Sequence, residues 1–219
     1  MQPEIILPDT TRHFDLLEEL DLRPELLREC GMKALAAYNQ TTLHDAASAG
    51  GQYAYLAAVR SVRDGLCPIG WEPHVRHNLE MTVNPETNIS ILVSSGNKDT
   101  GKKNGSPKTK NPKGNQTKKI VSFNYRQLRL PTKGYKVKNI SISNIWLLLY
   151  HIDIKMSQMR LELSLPVEMD LEEVHVTGWH KRIIIPHIDF DHAPIPPFTK
   201  TDQEFSDDFS IELKRKSNG

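Results

Sequence analysis

Two hydrophobic periods divide the chain. Between residues 9 and 70 apolar side chains recur every three to four positions. Asp9, Thr10 and Thr11 offer N-caps to a helix carrying Phe14, Leu16, Leu17 and Leu20. Pro24 suits a first helical turn, and Leu26, Leu27, Cys30, Leu35 and Tyr38 follow it, with Gly31 as a weak point. A third helical stretch runs from near Gly51 through Tyr53, Leu56, Val59 and Val62 to Gly65, where Gly65 and Pro68 stop it.

From about residue 78 the period falls to two. Leu79, Met81 and Val83 alternate with polar residues, Asn84 to Thr87 supply turn chemistry, and Ile89, Ile91 and Val93 alternate again, which predicts a hairpin. Further strands are expected at 120–127, 137–142, 145–154, 159–166, 173–176 and 179–186. Leu161, Leu163 and Leu165 fall on one side of their strand and Arg160, Glu162 and Ser164 on the other, as in a sheet with one solvated face. The intervals between these strands leave no room for helical crossovers, so antiparallel neighbours are expected. The fold class is α+β: N-terminal helices, then a mainly antiparallel sheet. As a domain plan, residues 1–188 form a single α+β domain, with helices over about 9–70, a sheet over about 78–188 and a basic loop inserted at 96–119. Residues 189–219 form an acidic, proline-containing extended tail.

Composition narrows the class of protein. Apolar residues make up 38 % of the 219, lean for a globular chain but well above the disordered range. The longest apolar run, residues 145–150, is far short of a membrane span. The first residues lack a basic region followed by a long apolar one, so the expectation is a cytoplasmic protein without a membrane partner. Cys30 and Cys67 then read as reduced, part-buried thiols.

Charge changes the picture most. The whole chain carries +1, yet the 41 residues from 98 to 138 hold thirteen bases against the single acid Asp99, a balance of +12 that leaves −11 elsewhere. Residues 189–213 hold seven acids against Lys200. The stretch 96–119 contains no large apolar residue at all, only Gly, Asn, Ser, Thr, Pro, Gln, Asp and Lys. Lysines spaced by small polar residues suit phosphate backbones, since each neutralised phosphate releases counterions and the spacers add neutral donors. The leading reading is a non-enzymatic binding or accessory protein that engages nucleic acid or another polyanion. Lys102, Lys103, Lys108, Lys110, Lys113, Lys118, Lys119, Arg126 and Arg129 would carry the contact. Alternatively the loop and a sheet edge dock on a protein, such as one with an acidic surface, making the chain a subunit or inhibitor.

No motif identifies a reaction. Residues 96–102 fit the G-x-x-x-x-G-K part of a phosphate loop, but Lys103 stands where Ser or Thr should hold magnesium, and Gly105 and Pro107 forbid the helix that should follow. His187, Asp189 and Asp191 alternate and would share one strand face, a set able to take a divalent metal, to which Glu162 could add a carboxylate. That cluster defines a third reading, a metal-dependent hydrolase or nuclease; otherwise no cofactor is expected. His74 and His77 lack the partners of a metal motif, and Asp153, Lys155 and Glu162 only loosely resemble a nuclease set. Trp146 and Trp179 read as core.

Overall fold

The computed structural model describes residues 2–129 and 144–191. Its first helix, α1 (Thr11–Glu19), begins where the Thr10 hydroxyl accepts the His13 N–H at 3.2 Å. α2 (Pro24–Tyr38) has proline in its first turn, where a missing N–H costs nothing. α3 (Ala49–Leu66) ends in a single 3₁₀ turn, Cys67–Ile69, closed by Gly70 at φ +96°. All three lay one apolar stripe on the same face of a sheet.

The strands are β1 (Glu4–Ile6), β2 (Glu72–Arg76), β3 (Leu79–Val83), β4 (Ser90–Ser95), β5 (Ile145–Asp153), β6 (Gln158–Met169) and β7 (Val176–Asp189). They form one sheet in the order β1-β7-β6-β5-β4-β3-β2. The α+β class holds, and the sheet is mixed. β2–β3, β3–β4, β5–β6 and β6–β7 pair antiparallel, whereas β4–β5 and β1–β7 pair parallel.

The parallel β4–β5 pair exists because residues 120–127, expected as a strand, belong to a helix, α4 (Asn115–Arg129). Val121, Phe123 and Tyr125 favour strands and alternate. However, the residues that α4 buries are Thr117, Ile120, Val121 and Asn124, a spacing of three and four. Tertiary packing of that stripe overrides the local preference. Two short strands went unforeseen: β1, and β2, which turns into β3 through His77 and Asn78, both at positive φ as a tight hairpin requires. The expected strand at 137–142 and residues 192–219 of the expected tail lie outside the described residues.

Each face of the sheet has its own core. Against α1–α3 pack Ile91, Val93, Trp146, Leu148, Leu161, Leu163, Leu165, Ile183 and Ile185, all buried. On the other face α4 covers Met81, Leu92, Ile145, Leu147 and Leu149 near the middle of the sheet, in a cluster that also includes Val176 and Trp179. Asn124 fixes α4 there: its side-chain amide donates to the carbonyls of Ile145 and Pro166 at 3.0 Å each and accepts from the Ile145 N–H. Among the described residues no helix is long and apolar enough to cross a membrane.

Candidate nucleic-acid interface

Beyond α4, the second face of the sheet is polar. The alternation of β6 turns Arg160, Glu162 and Ser164 to this side, and β7 adds Arg182 directly opposite Ser164. The sequence suggested that this face meets water. Instead all four are buried, Glu162 at 0 % and Arg182 at 1 % exposure. They lie beneath the segment that joins β4 to α4.

A segment without large apolar side chains cannot be held by the hydrophobic effect, so its backbone must be met by directional partners. Arg182 binds Glu162 through two bonds, Nη2 to Oε2 at 2.6 Å and Nε to Oε1 at 3.2 Å. It also donates to the carbonyls of Lys102 at 3.0 Å and Gly105 at 3.1 Å. Glu162 accepts further from the Gly101 N–H at 2.8 Å and the Ser164 hydroxyl at 2.9 Å. Arg160 donates to the carbonyls of Thr100 and Lys98 and to Asp153. Trp179 Nε1 donates to the Pro107 carbonyl at 2.8 Å, and Thr109 is tied to Val176 through both its backbone and its hydroxyl. The loop closes on itself where Gly96 and Thr109 form a bridge, so residues 96–109 make a compact Ω-like loop.

This packing accounts for the glycine spacing that imitates a phosphate loop. Gly101 has φ +72°, and a Cβ there would stand 2.8 Å from that of Arg160. A Cβ on Gly105 would meet the Asp99 carbonyl at 2.5 Å. The glycines let the loop lie close on the sheet. The anion bound to the loop's N–H is the protein's own Glu162.

Because backbone and small side chains are turned inward, most of the lysines are turned outward. Lys102, Lys103, Lys108, Lys110 and Lys119, with Arg126 on α4, are exposed. Two of the nine expected contact residues depart from this. Lys118 is half-buried and paired with Glu173 at 3.0 Å. Lys113 is also half-buried, and burial pulls its ammonium down to about 8. Arg129 is the last residue of α4. The loop is therefore not a free arm: it is fastened to its own sheet, and its cations ride on a fixed backbone.

The other candidates separate. His187 Nε2 and Asp189 Oδ1 do share a face, 3.4 Å apart, but both are exposed, and Gln158 also bonds Asp189. Asp191 is exposed past the end of β7. Among the described residues no three His, Cys, Asp or Glu are arranged to hold a metal. Glu162, considered as a further ligand, is consumed by Arg182, and Asp153 is paired with Arg160 at 3.0 Å. His74 and His77 lie exposed on β2 and its turn. Cys30 is buried, with burial raising its thiol to about 11, and both cysteines are free. Trp146 and Trp179 are core, as expected.

Arg160, Glu162 and Arg182 were missed as anchors. Their strand alternation was visible; what was hidden was the cover over that face. Comparison of the chain with protein-family models, with curated proteins and with solved structures gave no match.

Proposed function

We propose that this protein binds nucleic acid or a similar polyanion through a pre-ordered basic surface made by the 96–113 loop and the outer side of α4. The observation that supports it is the division of labour within the loop. Its carbonyls are taken up by buried Arg160 and Arg182, while Lys102, Lys103, Lys108 and Lys110 stand exposed. A fixed backbone presents these charges at little ordering cost on binding, unlike a free arm. Lys119 and Arg126 extend the same side of the sheet. Contacts of this kind position a phosphate backbone and carry little sequence information.

Fluorescence anisotropy with a labelled 20-base-pair DNA duplex tests this. With four to six phosphates neutralised, log K should fall against log salt with a slope of about −4 to −5. Changing Lys102, Lys103, Lys108 and Lys110 to Glu should weaken binding at least tenfold and flatten the slope by about one per lysine removed. Retained affinity in that variant would sink the reading and move the choice to a protein partner. That second reading has one observation of its own: β2 ends the sheet with all five residues exposed. Pro73 and the charges of Glu72 and Arg76, however, are the usual means of keeping an edge strand unpaired.

A further inference from the structure

We propose that residues 202–212 of the same chain dock on this basic surface and compete with its ligand. The inference rests on the polyanion reading of the preceding subsection and adds its regulation. Three observations carry it.

The first is complementarity. Residues 202–212 contain Asp202, Glu204, Asp207, Asp208 and Glu212 and no base, with Phe205, Phe209 and Ile211 among them. The loop and α4 offer seven exposed cations, Lys98 among them, and Tyr125 and Leu128 stand partly exposed on α4 beside Arg126. An acidic segment with aromatic residues at intervals copies the two properties of a single-stranded nucleic acid: a line of negative charge and ring faces between the charges.

The second is where the chain leaves the sheet. Asp189 is bonded by Gln158, and the Phe190 N–H donates to the Ser157 carbonyl. Only two residues further along β6, Arg160 holds the carbonyls of Lys98 and Thr100. Strand rise makes that interval about 7 Å. The chain is thus released next to the start of the basic loop, at the end of β7 and not at the distant β2 edge.

The third is length. Ten residues, and so eleven Cα–Cα steps, separate Asp191 from Asp202. Chain geometry lets them span up to about 36–40 Å, enough to carry the acidic stretch along the loop. A segment tethered at this distance faces the surface at an effective concentration on the order of millimolar, which an intermolecular polyanion must overcome.

Two measurements on the full chain decide the matter. The test variant neutralises the segment: Asp202→Asn, Glu204→Gln, Asp207→Asn, Asp208→Asn and Glu212→Gln. A control variant removes the same charge from exposed positions elsewhere: Asp15→Asn, Glu18→Gln, Glu25→Gln, Glu72→Gln and Glu86→Gln. At low salt, acetylation of Lys102, Lys103, Lys108 and Lys110, followed by mass spectrometry, should run at least threefold faster in the test variant than in the native chain or the control. High salt should bring the native rate up to match. Equal rates in all three overturn the docking. Affinity for the DNA duplex should be three- to tenfold tighter in the test variant than in the control. Equal affinity there overturns the competition and leaves the polyanion reading intact. Lysine protection in a chain that binds no DNA supports the docking and removes the polyanion reading instead.

Discussion

The two faces of the sheet are covered by different physics. Against α1–α3, Leu161, Leu163 and Leu165 of β6 meet other apolar side chains, and the contact is non-directional. One residue out of phase on the same strand, Arg160, Glu162 and Ser164 are equally buried, but their cover is a loop with nothing apolar to give them. That cover is held by directional bonds: loop carbonyls to Arg160, Arg182 and Trp179, the Gly101 N–H to Glu162, and Thr109 to the backbone of Val176. An apolar cover tolerates a change of partner if volume is kept. The loop cover has no such slack, because losing one anchor strands several buried groups together.

Removing Arg182 is the most severe test of this contrast. Arg182→Met leaves the Glu162 carboxylate buried without its cation and frees the Lys102 and Gly105 carbonyls. Urea unfolding should show a loss of about 3–5 kcal/mol. Amide exchange over 96–109 should accelerate more than the global loss explains. Leu163→Ala on the other face should cost about 2–5 kcal/mol as a cavity, with no selective exposure of the loop. Equal exchange patterns in the two variants would remove the distinction between the faces. Adding Glu162→Leu to Arg182→Met should recover part of the loss, since it removes the unpaired charge.

Gly101→Ala acts on one point of the same cover. With φ at +72° and the Arg160 Cβ 2.8 Å away, it should cost about 1–3 kcal/mol. Thermal unfolding measures it, and loop exchange should again report it first.

The smallest expected effect is on pH. His13 is buried on the helix side, with Nε2 3.1 Å from the Ile184 carbonyl oxygen and Nδ1 unpartnered among the described residues. Burial lowers its pKa, and both the Ile184 carbonyl and nearby Asp9 only partly oppose this. His151, under the loop, is lowered chiefly by burial as well, against its bond to the Gly96 carbonyl. A histidine with a depressed folded pKa binds protons more readily unfolded. Its stability contribution is complete above the ordinary value of about 6.5 and is lost as pH falls through the folded value. Stability should therefore decline below about pH 6.5, and His13→Gln, which keeps a donor for Ile184, should flatten that decline. An unchanged slope in His13→Gln would assign the acid sensitivity to His151 or to His180, which burial and Lys181 also lower.

The sequence made one face readable and concealed the other for a physical reason. Helix stripes such as Leu26, Leu27 and Cys30, and the period-two run of β6, follow from chain geometry and needed no tertiary information. Glu162 and Arg182 are twenty residues apart, and their burial depends on a loop some sixty to eighty residues earlier, so nothing local distinguishes them from solvated charges. α4 was misread because its β-branched and aromatic residues favour strands, while its buried stripe shows only once β5 and β6 are beside it. Of the expected basic site, the six exposed cations were legible. The pairing of Lys118 with Glu173 was not, since it joins residues fifty-five apart.

The stapled loop also sets an order on the birth of the molecule. Arg182 reaches a carbonyl eighty residues upstream of it. A chain emerging at about 5–20 residues per second has to wait roughly 4–16 s after Lys102 appears before its anchor is even synthesised. During that interval the Lys102 and Gly105 carbonyls lack their anchor, and Glu162 lacks the cation it is buried with. Among the described residues the last long strand to be made thus completes the fastening that Arg160 and Glu162 of β6 begin, and a ribosome pausing before residue 182 prolongs the exposure of a cationic segment at the surface of a particle built from RNA.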